Sequence, residues 1–120
     1  MPGRILFAED EDGFRNIIVQ LLTEEGFEVE GVNDGVGAIE ALQKGKYDLL
    51  LLDIRMPIKS GLDVLEYMHS NDIRIRSIMA TAVNDMSIAI ESLKLGASDF
   101  ITKPYTIESL VECINKVLEK

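Results

Sequence analysis

Leu49-Leu50-Leu51-Leu52-Asp53 is the stretch that decides the fold. Four leucines in a row show no polar alternation. A strand covered on both faces has this composition, as a parallel strand between two helical layers does. An acid follows at once. In an open α/β sheet the residue just past such a strand faces the crevice where ligands bind. Asp53 is therefore placed to act as a nucleophile, a metal ligand or both.

Outward from this strand, apolar strands alternate five times with amphipathic helices. Ile5 to Glu9 reads as the first strand. Phe14, Ile17, Ile18, Leu21 and Leu22 then keep helical spacing, and Gly26 ends that helix. Phe27 to Val32 is a shorter strand closed by Asn33-Asp34-Gly35. Val36 to Lys44 is a short helix, and the loop Ile54 to Ser60 leads to a helix carrying Leu62, Leu65 and Met68. Ile78 to Ala80 is a fourth strand, Asp85 to Leu95 a helix stopping at Gly96, and Phe100 to Thr102 a fifth strand. Ile107, Leu110, Val111, Ile114, Val117 and Leu118 mark the last helix, which is expected to reach Lys120 and so to leave no output domain within this sequence. Repeated strand–helix units imply one domain over residues 1–120: a parallel sheet with right-handed crossovers and helices on both faces.

Composition supports a packed core and narrows the partners. A chain of 120 residues, 47% hydrophobic, can bury roughly two-thirds of its unfolded surface. Twelve basic residues against 21 acidic ones give a net charge of −9. Direct nucleic-acid binding needs clustered Lys and Arg and is not expected. The acidity fits cation binding and solubility better. One cysteine, Cys113, can form neither an internal disulfide framework nor a zinc site, so a reducing cytoplasm is the default. Met1-Pro2-Gly3-Arg4 leads straight into a strand, with no sign of a signal peptide. No apolar run approaches the roughly 20 residues of a membrane span.

Glu9-Asp10-Glu11-Asp12 follows the first strand. Read as local structure, it is a solvated charge run with Asp12 as the cap of the first helix. Read as a site, it needs Asp53. If strands one and three are neighbours, their carboxyl ends bring Glu9, Asp10 and Asp53 together. Each carboxylate pair then costs roughly 1 to 4 kcal/mol at ~4 Å. A divalent cation relieves that cost, and Mg²⁺ suits hard oxygen donors while leaving room for phosphate oxygens. Thr81 closes the fourth strand and Lys103 the fifth. Alone, one is a turn hydroxyl and the other a surface lysine. Together they put a hydroxyl and an ammonium on the same rim, a set suited to an incoming phosphoryl group with Asp53 as attacking oxygen.

With these residues in order, the chain resembles the receiver domains of bacterial two-component response regulators, over essentially its whole length. Its landmarks are Glu9-Asp10, Asp53, Met56-Pro57, Gly61, Thr81-Ala82 and Lys103-Pro104. The resemblance implies a flavodoxin-like fold with strand order 2-1-3-4-5 and five helices. It implies that Asp53 accepts a phosphoryl group from a phosphohistidine on a sensor histidine kinase or histidine phosphotransfer protein. Asp10, Asp53 and the backbone carbonyl of Arg55 would ligate Mg²⁺, with Glu9 acting through water. Thr81 and Phe100 would be the switch pair, and the Lys103–Pro104 peptide would be cis. The output would be controlled through helix four, strand five and helix five, with Ile88, Leu95 and Tyr105 as apolar points for a downstream partner. Two departures stand out. Position 9 is Glu where Asp is more usual, and Phe100 lacks the hydroxyl of a switch tyrosine.

The remaining polar residues are read more plainly. His69, the one histidine, is a surface residue, and Cys113 packs as a small hydrophobe. Met56, Met68, Met79 and Met86 form no stripe and are read as packing. In receiver domains the positions of Arg55 and Val83 flank the route of an attacking water; neither residue is an acid or amide, so the resemblance implies slow to moderate self-hydrolysis. A haloacid-dehalogenase-type phosphatase is the enzymatic alternative, because Asp10-Glu11-Asp12 has the Asp-x-Asp form. Phe14 stands where that motif wants Thr or Val, and there is no room for a cap domain. A phosphorylation-independent scaffold is the other alternative.

Overall fold

The computed structural model describes residues 3–119; Met1, Pro2 and Lys120 lie outside them, and with them the reading of the extreme ends. Five strands alternate with five helices: β1 Arg4–Ala8, α1 Asp12–Glu24, β2 Glu28–Val32, α2 Gly35–Lys44, β3 Leu49–Asp53, α3 Gly61–Ser70, β4 Arg76–Ala82, α4 Met86–Lys94, β5 Asp99–Lys103 and α5 Ile107–Leu118. A 3₁₀ turn, Val83–Asp85, precedes α4. All neighbouring strands pair in parallel, in the order β2-β1-β3-β4-β5.

The leucine run does what a two-sided strand must do. Leu49, Leu50, Leu51 and Leu52 are all fully buried. Leu50 and Leu52 join Leu6, Met79, Val64 and Met68 in a core under α2, α3 and α4. Leu49 and Leu51 join Ile5, Phe7, Ile78, Leu22 and Ile114 under α1 and α5. Strand period two thus feeds two cores, each leucine contributing about 1.5–3 kcal/mol of burial.

Helix starts fix where the loops turn. Asp34 caps α2 through the Gly37 amide (2.7 Å). Ser60 and Asp63 form a reciprocal capping box at α3, and Thr106 and Ser109 form another at α5. Gly35 enters α2 against Lys59: a Cβ there would lie 2.2 Å from the Lys59 carbonyl oxygen. That contact locks the β3–α3 loop to the start of α2.

The boundaries differ from the sequence expectation at several ends. β4 runs from Arg76 to Ala82 rather than Ile78 to Ala80, because register pairing with β3 and β5 extends beyond the apolar run. β1 stops at Ala8, leaving Glu9 just beyond the strand. The cap of α1 is Glu11 and not Asp12. Its carboxylate folds back to accept from the Gly13 and Phe14 amides, both at 3.0 Å. Asp12 instead pairs with Arg15 one turn on, at 2.7 Å.

Candidate functional site

The strand order places the carboxyl ends of β1 and β3 side by side, with β4 and β5 following on one edge. Glu9 and Asp10 leave β1, Asp53 ends β3, Thr81 lies one residue from the end of β4, and Lys103 ends β5. Each Glu9, Asp10 and Asp53 offers a carboxylate oxygen within 4.8 Å of the others. Glu9 and Asp53 are buried, at 2% and 7% exposure, while Asp10 is open to solvent.

Lys103 holds this cluster together. Its Nζ donates to Glu9 Oε1 at 3.0 Å and to Asp53 Oδ2 at 3.1 Å. The ammonium also lies 5.7 Å from the centroid of the Phe14 ring, within cation–π range. Burial pushes Asp53 above the usual carboxylate range, although Lys103 and the Arg55 N–H pull it back. Burial likewise raises Glu9, against the Glu11 N–H (3.1 Å) and Lys103. Burial works against the Lys103 charge too, but the Glu9 and Asp53 carboxylates outweigh it and hold the ammonium above its ordinary value. One ammonium therefore answers two buried carboxylates, and a third acid, Asp10, lies beside them.

The donor set fits a hard divalent cation. It consists of carboxylate oxygens, and no nitrogen or sulfur ligand joins it among the described residues. Asp10 and Arg55 line a shared cavity of about 500 Å³ with Met56, Pro57 and Ser60, leaving access from solvent on that side. Glu9 lies deeper and is paired with Lys103.

Thr81 is buried, and its hydroxyl is turned into its own loop. It donates to the Ala82 carbonyl at 3.2 Å and to the Asp85 carbonyl at 3.5 Å. Phe100 is half-buried and packs against the core under α2–α4. Lys103–Pro104 is cis. Gly61 lets α3 start directly on Asp53: a Cβ there would lie 2.6 Å from the Asp53 carbonyl oxygen.

Three features were not legible as site elements in the sequence. Arg15 Nη1 donates to the Glu9 carbonyl at 2.9 Å and fixes the acidic turn. Phe14 supplies the ring beside Lys103, with Tyr105 edge-on at 5.7 Å between centroids. The Arg55 guanidinium forks onto Asp85, Nε–Oδ2 at 2.7 Å and Nη2–Oδ1 at 2.6 Å. Arginine and aspartate 30 positions apart give no periodic signal. The apolar points also shift: Ile88, Leu95 and Tyr105 pack partly into the cores. On α4 the exposed ones are Ile90 (51%) and Leu93 (38%).

A doubly covered parallel sheet with a lysine-bridged acid cluster at its carboxyl edge defines an α/β protein with an acidic crevice at the ends of its central strands. The chain belongs to the response regulator receiver domains of two-component systems; the family's model matches residues 5–115. It is similar to the chemotaxis protein CheY of Bacillus subtilis, 35% identical over 98% of this chain and 99% of that protein. It is also similar to the uncharacterized transcriptional regulatory protein YkoG of the same organism, 34% identical over 98% of this chain but 52% of that one. The chain thus spans nearly all of some relatives and about half of others. Among solved structures, the receiver domain of a LuxO-type repressor from Vibrio parahaemolyticus superposes with a TM-score of 0.91 at 30% identity, covering 99% of this chain and 92% of that one. No helix among the described residues is long and apolar enough to cross a membrane.

Proposed function

We propose that Asp53 is the phosphoacceptor of a signalling switch, loaded from a phosphohistidine on a sensor histidine kinase or histidine phosphotransfer protein. An Asp53 carboxylate oxygen attacks phosphorus, the P–N bond to imidazole breaks, and an acyl phosphate forms. The imidazole nitrogen takes a proton as it leaves. Nothing is turned over, so the chain is a substrate that promotes its own modification and loss, not an enzyme. This reading puts the domain in the cytoplasm beside its donor.

The observation that carries the reading is the Lys103 ammonium, 3.1 Å from Asp53 Oδ2 and 3.0 Å from Glu9. It opposes the burial that raises Asp53 and stands where new anionic oxygens would appear. After transfer, Lys103 donates to a phosphoryl oxygen, acting as a point charge. The Thr81 hydroxyl turns from the Ala82 and Asp85 carbonyls to another. Phe100 follows into the space that Thr81 and its loop vacate. The acidic oxygens of Asp10 and Asp53 and the Arg55 carbonyl, with Glu9 through water, would hold Mg²⁺. When bound, it supplies the countercharge that three clustered acids and a phosphoryl group require.

The consequence is a shift between two arrangements of the surface made by α4, β5 and α5, which a downstream protein or domain reads. Ile90 and Leu93 are its exposed apolar residues on α4. The test is intact mass after incubation with acetyl phosphate and Mg²⁺. Wild type gains one phosphoryl mass, and Asp53→Asn gains none. No gain in wild type, or an equal gain in Asp53→Asn, rejects Asp53 as acceptor.

A further inference from the structure

Arg55 and Asp85 join two loops that the chemistry at Asp53 must move relative to each other. Arg55 lies two residues past Asp53, and its N–H donates to Asp53 Oδ1 at 3.3 Å. Asp85 ends the 3₁₀ turn that leads into α4. Both oxygens of its carboxylate are taken by the Arg55 fork, at 2.6 and 2.7 Å. The pair is lopsided. The Arg55 side chain is 71% exposed, whereas that of Asp85 is 6% exposed. Arginine is at ease in water without its partner, and a buried aspartate is not. The hydrogen bond from Arg55 accordingly holds the Asp85 carboxyl below its usual range.

The main chain of Asp85 completes the circuit, because its carbonyl accepts from the Thr81 hydroxyl at 3.5 Å. Thr81 must leave that carbonyl to reach a group on Asp53. Resting on the phosphoacceptor reading above, we propose that the Arg55–Asp85 pair is a clasp that holds the turn before α4 in its resting arrangement and opens on phosphorylation. The driving force is competition. The phosphoryl group carries about −1.5 to −2 charge two residues from Arg55, in place of the single charge of the Asp53 carboxylate. Its oxygens suit the same two-pronged donor that Asp85 now occupies. Once Arg55 is drawn away, Asp85 is a buried carboxylate without a partner. The turn moves to bring it to water and carries Thr81 and the start of α4 with it. Asp85 is thus a positioning residue: it touches neither phosphorus nor metal and acts through Arg55.

The test follows backbone amide shifts of Ala82, Val83 and Ser87 in the full chain, without and with saturating beryllofluoride and Mg²⁺ as the phosphoryl mimic. Wild type supplies the two end points. Asp85→Asn keeps the shape and loses the charge. Its amides without the mimic are expected part-way along the line towards the saturated end. Its half-saturating beryllofluoride concentration is expected to fall about two- to tenfold. Arg55→Lys keeps the charge but loses the fork, and should fall between the two proteins. Asp85→Asn amides that coincide with free wild type, with unchanged half-saturation, overturn the clasp alone. A shift away from the saturated end overturns it as well. A wild type that does not respond to the mimic overturns the phosphoacceptor reading and the clasp with it.

Discussion

Replacing Asp53 by asparagine should stabilise the metal-free protein although it removes an ion pair. The carboxylate oxygens of Glu9, Asp10 and Asp53 lie within 4.8 Å of one another. At that distance and an effective dielectric of about 20, each of the two repulsions felt by Asp53 is about 3.5 kcal/mol. The attraction to Lys103 at 3.1 Å is about 5 kcal/mol on the same footing. The two repulsions together exceed it by about 1–2 kcal/mol, and a neutral amide is cheaper to bury than a carboxylate. For a chain of this length that excess corresponds to a rise in Tm of about 3–8 °C.

The assay is thermal unfolding at pH 7.5 and low ionic strength, with chelator and with Mg²⁺. Wild type should gain about 2.7 kcal/mol at a Mg²⁺ concentration one hundred times Kd. Asp53→Asn has one ligand fewer and should gain much less, so the ranking of the two proteins reverses on adding metal. Acid should erase the difference in chelator. Asp53 titrates above the ordinary carboxylate range because it is buried. A carboxyl raised on folding contributes stability below its unfolded pKa and loses it as pH rises through the folded value. The wild type therefore recovers as pH falls and Asp53 is protonated, and the asparagine advantage fades. A variant less stable than wild type in chelator at pH 7.5 refutes the electrostatic account. A wild-type Tm indifferent to Mg²⁺ refutes the cation site.

Three further outcomes follow from local geometry. Ile58 has φ 68° and is 80% exposed, so Ile58→Gly relieves left-handed strain at little apolar loss. A net gain of about 0.5–1 kcal/mol is expected after glycine's own entropy cost, and a lower urea midpoint would count against it. Gly61→Ala sets a methyl 2.6 Å from the Asp53 carbonyl and 2.9 Å from Met79 Cε. It should cost about 1–3 kcal/mol and slow loading of Asp53 by acetyl phosphate; unaltered stability and rate contradict the contact. Burial and Asp99 push the Cys113 thiol up to about 11. Its alkylation by iodoacetamide at pH 7.5 should be at least about tenfold slower than that of an unhindered thiol, and matching rates would show the thiol to be free.

The fold was legible because its signals were local. Leu49 to Leu52 announced a strand with two covered faces, and the helical spacing in Ile107 to Leu118 announced an amphipathic helix. The landmark acids, Thr81 and Lys103 could be found because each stands at a strand end. Less visible was anything set by a side chain's reach. By residue type Asp12 is a better cap than Glu11. The longer one wins because it can turn back onto two amides while Asp12 engages Arg15. Arg55–Asp85 and Phe14–Lys103 join residues from different loops, which no periodicity encodes. Polar ends of β4 escaped because their pairing, not their hydrophobicity, makes them strand.

Several places where local rules are broken lie close to one another. Elsewhere the chain largely agrees with itself, Asp72 (φ 54°) and the unpartnered Ser77 hydroxyl aside: leucines divide between two cores, and α2, α3 and α5 start on side-chain caps. At the carboxyl edge of β1 and β3 that agreement stops. Three acids crowd together, and two of them share one ammonium. A β-branched residue takes a left-handed backbone in the next loop. An aspartate is buried on the strength of one exposed arginine. Such departures persist where the surrounding structure enforces them, and they concentrate at functional sites. Under the proposed function, two of these groups meet an added charge. A cation would satisfy the acids, and a phosphoryl group would give Lys103, Thr81 and Arg55 a common acceptor. A site at rest in its metal-free state would have little reason to rearrange when modified. On the proposed function, the same imbalance that lowers stability would make the domain responsive, and removing it by Asp53→Asn should yield a sturdier and silent protein.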